Sequence, residues 1–200
     1  VYVFHHLFAH HGIPAGVVDF RAYDGIERLL ETLPNQLRES ELERIGVVID
    51  ANSKLEDRWK AVCHRLAQAG YKNVPSSPAV EGTIIEEKLL PIAGIWLMPN
   101  NQLPGILEDF VGFLVPQGDP LWNRAGECLK GIPTEHRRFS DAHRSKAHIH
   151  TWLAWQDEPG TPLGSAITKR YLDADATHAK LLMDWVRRLF DLPTTLQIES

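Results

Sequence analysis

The chain has 200 residues, 44% of them hydrophobic, with 21 basic and 26 acidic side chains and a net charge of -5. That length suits one domain, or one with a helical extension, and the apolar fraction is enough for a sizeable core. The acidic balance leaves nucleic acid only a local basic patch to bind, the lack of a ~20-residue apolar run argues against a membrane span, and two isolated cysteines, Cys63 and Cys128, argue against a disulfide scaffold or thiolate zinc site.

Residues 1–12 already read as a helix, with Val3, Leu7 and His11 on one face and Phe4 and Phe8 beside it, and Gly12-Ile13-Pro14 ends it. The start lacks the basic and long apolar segments of a signal peptide, so the chain reads as cytoplasmic. Gly16 to Phe20 predicts a short strand. Asp24-Gly25 opens a second helix, on which Ile26, Leu29, Leu30 and Leu33 recur at three- and four-residue steps. Ile45 to Ile49 is a continuous apolar run ending in Asp50, the pattern of a strand buried on both faces. A third helix follows, with Leu55, Trp59, Val62, Leu66 and Ala69 on one stripe and Gly70 as its cap. Thr83 to Ile85 predicts a short strand, Ala93 to Met98 a buried one, and Gly105 to Leu114 a short helix. Past residue 115 the strand signals stop, and helices are expected over 119–130, 140–157, 162–172 and 176–190. The alternation predicts a doubly wound, mostly parallel α/β sheet over 1–115, with 116–200 as a helical extension packed on it.

In open α/β sheets ligands bind at the carboxyl ends of the strands. There Asp50 and Asn52, two apart in extended chain, offer hard oxygens to one cation such as magnesium or manganese. The same pair equally suits turn or helix-capping work. Glu108 and Asp109 follow the second buried strand, and about 100° separates neighbours on a helix, so only one of them faces a metal. They also suit simple complementation of a helix N-terminus. His136 to His150 holds four basic side chains (Arg137, Arg138, Arg144, Lys146) against one acid, Asp141, and four histidines. His143, Lys146 and His150 fall on one helical face, a row of donors for phosphate oxygens or a solvated surface. His6 and His10 stand four apart, but Leu7 replaces the glutamate of a zincin and no third ligand is evident.

The segments Val47-Val48-Ile49-Asp50-Ala51-Asn52, Gly94 to Gly105, Leu107-Glu108-Asp109-Phe110 and Lys146 to Gln156 resemble an uncharacterised bacterial domain family of the toprim-like superfamily. So do Pro162-Leu163-Gly164 and Tyr171-Leu172-Asp173. The resemblance implies a relation to overcoming-lysogenisation-defect-type nucleases and a magnesium (or manganese) site. By that resemblance Asp50 matches the first Asp of Asp-x-Asp and Asn52 stands where the second would be. Glu108, with Asp109, matches the later acidic position, and Lys146 is a candidate for the nuclease-branch lysine. The family's first-strand glutamate has no counterpart, since residues 1–12 read as the helix that would follow it. The expected activity is therefore magnesium-dependent phosphodiester cleavage, in working or degenerate form, with Asp50, Glu108 and Lys146 as catalytic residues. Asp50, Asn52, Glu108 and Asp109 would serve as metal ligands, and His143, Lys146 and His150 as phosphate binders. The competing expectation is a non-catalytic interaction module that partners an ATPase or a nucleic-acid-processing complex. A homodimer is compatible with both.

Overall fold

A computed structural model of the chain describes residues 1–193. The helices are α1 (Tyr2–His10), α2 (Ile26–Gln36), α3 (Leu55–Ala69), α4 (Leu107–Gly112), α5 (Pro120–Lys130), α6 (Arg144–Leu153), α7 (Leu163–Thr168) and α8 (Thr177–Phe190). The strands are β1 (Arg44–Asp50), β2 (Thr83–Ile85) and β3 (Ile92–Met98), in the order β1-β3-β2. β1 and β3 run parallel, from Arg44 opposite Ile92 to Asp50 opposite Met98, so their carboxyl ends coincide.

The sheet is mixed, with the parallel β1–β3 pair as its longer ladder. β2 runs antiparallel to β3. Only residues 86–91 join them, too few for the crossover that a parallel neighbour requires. The β1-to-β3 connection carries α3 and is long enough for one.

Side-chain alternation divides the strands between two cores. On one face Val47, Ile49, Ala93, Ile95 and Leu97 pack with Trp59, Val62 and Leu66 of α3 and Leu30 and Leu33 of α2. On the other, Trp96 and Met98 pack with residues of α1 and of α4 to α8. Helices beyond residue 115 thus share a core with α1 and with the sheet. The closest approach is made by α8, over the register pair Gly46 and Gly94. A Cβ on Gly94 would lie 2.3 Å from Leu189 Cδ2 and 2.9 Å from Trp185 Cζ2. Trp185 also donates its indole N–H to the Thr83 carbonyl and tilts against Trp96 at 5.7 Å.

The third helix and its cap follow the sequence pattern, with Gly70 left-handed at φ 118°. The expected strand at Gly16 to Phe20 is instead turn and loop. Gly16 takes φ 85°, and Phe20 uses its ring against Phe4, His5 and Phe8 of α1. The apolar run there serves as a patch over a helix, which strand periodicity does not distinguish. The 140–157 helix is shorter than expected: a 3-10 turn, Asp141–His143, leads into α6, which stops at Leu153. α7 likewise covers only Leu163–Thr168.

Candidate functional site at the carboxyl end of the parallel pair

β1 delivers Asp50 to the rim where β3 also ends. After Met98 the chain turns through a cis Met98–Pro99 bond and returns across β1. There the Asn52 N–H donates to the Gly105 carbonyl at 2.8 Å, closing an isolated antiparallel bridge. The loop then enters α4, and the Leu107 N–H donates to Asp50 Oδ1 at 2.9 Å. This bond ties the later acidic segment to the strand end.

Asp50 is partly buried, and burial raises its pKa above the usual carboxylate range. The Leu107 N–H opposes that rise, the charges of Glu108 and Asp109 add to it, and Arg58 works against it. Arg58 also donates from Nε to the Asp50 backbone carbonyl at 3.0 Å. The structure therefore brings Asp50, Glu108 and Asp109 into one electrostatic neighbourhood.

The two acids of α4 diverge, as neighbours on a helix must. Glu108 is largely buried, with its side chain 13% exposed, and Lys146 Nζ lies 3.5 Å from Glu108 Oε1. Lys146 thus reaches this rim from α6. Asp109 turns back into structure. Its Oδ2 accepts from the Ile106 N–H at 2.8 Å and its Oδ1 from the Ser145 hydroxyl. Gly105 belongs to the same device, because a Cβ there would stand 2.7 Å from Asp109 Oδ2, and its φ of 150° favours glycine.

Asn52 departs from the geometry that singled it out. Its φ is 55°, left-handed, so the alternation of an extended strand does not carry past Asp50. Asparagine is one of the few side chains that accepts this conformation readily. The Asn52 side chain is exposed at the rim. His143 and His150 are also exposed, and His143 sits ahead of α6 as its N-cap, within hydrogen-bond reach of Ser140 Oγ at 3.4 Å. Of the basic segment, Arg137 and Arg144 both approach Asp141, at 3.0 and 3.8 Å.

Asp50, Glu108 and Asp109 do not form a tight cage. Among the described residues, the one trio of His, Cys, Asp or Glu with ligand atoms all within 4.8 Å is His10, His11 and Asp175. His6 is not among them: its Nδ1 bonds Thr168 Oγ1 at 2.6 Å. Asp175 stands 165 positions beyond His10, and no spacing pattern links the two. Arg58 and Ser145 were missed as well; Arg58 lies on the first turns of α3, where proximity to the β1 end could have been read from the short connection.

These features define a helix-rich α/β protein with a carboxylate- and lysine-bearing rim at the end of a parallel strand pair. The chain belongs to the family described as "Protein of unknown function (DUF3226)", whose sequence model matches residues 1–191. No curated protein and no solved structure matches it. Among the described residues, no helix is long and apolar enough to cross a membrane.

Proposed function

We propose that this rim is a phosphate-directed, divalent-cation site of toprim-like kind that serves phosphodiester cleavage. The observation that supports it is the meeting of Asp50, Glu108 and Lys146, which come from three separate parts of the chain. The same reading takes the β1–β3 pair, with helices on both faces, as the core of a toprim-like doubly wound fold. It places the protein in the cytoplasm, where the free thiols of Cys63 and Cys128 are at home.

The donors fit a hard cation in kind. Asp50, Glu108 and the Asn52 amide are all oxygen donors, and magnesium or manganese needs few of them because water completes the shell. Burial raises the Asp50 pKa and the charges of Glu108 and Asp109 add to it; a cation would relieve that added repulsion. When bound, it supplies positive charge that polarises phosphate oxygen and acidifies water. The chain's own groups do the positioning. The Leu107 N–H fixes the Asp50 carboxylate, and Asp109 anchors the start of α4. Lys146, with His143 and His150 on the flank, offsets phosphate charge. Nucleic acid is held through its phosphates with little sequence preference.

A second reading is favoured by how fully these groups are already occupied. Asp109 has both oxygens engaged, Glu108 faces a lysine, and the Asp-x-Asp position holds neutral Asn52. A rim of that kind suits a degenerate, non-catalytic module that partners an ATPase or a nucleic-acid-processing complex, with a homodimer as one arrangement. Incubation of the protein with plasmid and single-stranded DNA, with magnesium or manganese, separates the two. Cleavage that ends with chelator, Asp50→Ala or Glu108→Ala supports the enzyme. DNA binding without cleavage supports the module, and neither binding nor cleavage removes the enzyme.

A further inference from the structure

The three groups His10, His11 and Asp175 share no residue with the rim just described and form a separate constellation. His10 is the last residue of α1 and His11 is its C-cap, with φ −87° and ψ 12°. Asp175 sits in the loop between α7 and α8. His10 Nε2 stands 3.1 Å from Asp175 Oδ2, the two imidazoles meet edge to face at 5.0 Å, and one ligand atom from each of the three residues lies within 4.8 Å of the others.

We propose that His10, His11 and Asp175 form a binding site for a transition-metal dication of the zinc class. Two imidazoles and a carboxylate are a borderline-soft donor set that suits zinc and its neighbours better than magnesium or calcium. Tetrahedral zinc with bonds of about 2.0–2.1 Å sets its ligands roughly 3.3 Å apart, so the closure needed from 4.8 Å is small.

The surroundings hold the donors in place. His11 Nε2 stands 2.9 Å from the Ala174 carbonyl, the kind of backbone contact that orients metal-binding imidazoles. Asp173 fixes the loop: its N–H donates to the Leu114 carbonyl at 2.7 Å, and its carboxylate accepts from the Asp175 N–H at 2.9 Å. Arg187 and Lys180 are the cations near the cluster, and they temper its affinity. A metal here would pin the end of α1 to the α7–α8 loop.

The test is a zinc titration of the full chain by calorimetry, with thermal melts in parallel. The expected result is one zinc per chain and a higher melting temperature with zinc. Affinity should fall at least about tenfold in His10→Ala and in Asp175→Asn, the scale on which even supporting groups of metal sites act. His64→Ala, on the far helix α3, should bind zinc as the wild type does. Asp175→Asn preserves shape, so its circular dichroism separates loss of ligand from loss of fold. No saturable binding, or equal binding by wild type, His10→Ala and Asp175→Asn, overturns the proposal. Loss of zinc binding in Asp50→Ala would also overturn it, by moving the metal to the rim.

Discussion

Two opposing demands meet on Asp50. The rim needs its negative charge, yet burial and the nearby Glu108 and Asp109 charges disfavour that charge in the folded state. Its folded pKa is raised, so any stability it contributes is present below the ordinary carboxylate pKa and lost as pH rises through the folded value. At neutral pH the charged form therefore costs stability. Asp50→Asn keeps an oxygen for the Leu107 N–H and removes the charge. It should melt at a higher temperature than wild type at pH 7, and the difference should close below about pH 4. Thermal melts at both pH values check this, and an equal or lower melting temperature at pH 7 contradicts it. Functional sites commonly trade stability in this way. Lys146 carries the matching prediction for binding. Lys146→Ala should weaken nucleic-acid binding at low salt and reduce the salt slope by about one. Fluorescence anisotropy over a salt series reads both, and an unchanged slope returns Lys146 to the role of a plain partner for Glu108.

The strands show what a sequence can and cannot reveal about elements. Ile45 to Ile49 and Ala93 to Met98 were legible because a strand covered on both faces needs an unbroken apolar run. Thr83 to Ile85 was legible as a strand, but its direction depends on the length of the 86–91 link. The run at Gly16 to Phe20 misled because apolar side chains that patch a helix look the same as those of a short strand. At the rim, Asp50 could be found because it ends a strand. The Ser145 bond to Asp109 and the approach of Asp175 to His10 could not, because they join distant segments through tertiary packing. Close packing of α8 on the sheet yields its own prediction. Gly94→Ala drives a methyl into Leu189 and should cost about 1–3 kcal/mol. Trp185→Ala empties the same seat and should cost about 3–5 kcal/mol. Urea unfolding with a common slope measures both, and a neutral Gly94→Ala would show that α8 can shift without loss.

For the molecule as a whole, acid should act through histidine before it acts through carboxylates. Burial lowers the pKa of His11 and of His178, which stacks on Phe113 at 4.1 Å. A depressed histidine pKa means the unfolded chain takes up protons first, so stability holds above about pH 6.5 and declines as pH falls below it. Melts between pH 7.5 and 5 should show this decline, and it should shrink in His178→Phe. A flat profile would falsify it.

The seat that Gly46 and Gly94 leave for Leu189 and Trp185 also bears on the order in which the protein can be made. The strands that carry those glycines leave the ribosome long before the helix that fills the space above them. α1, which precedes every other described element, waits even longer for its neighbours, since α7 and α8 are its main packing partners. A nascent chain that has emerged as far as residue 115 therefore has one face of its sheet covered by α2 and α3, and another, around Trp96 and Met98, that still lacks α5 to α8. Such a nascent chain should remain loosely structured and attractive to chaperones until residue 190 is free. A released 1–115 fragment should accordingly lack a cooperative thermal transition, and a sharp one would mean that the sheet can close without its last helix.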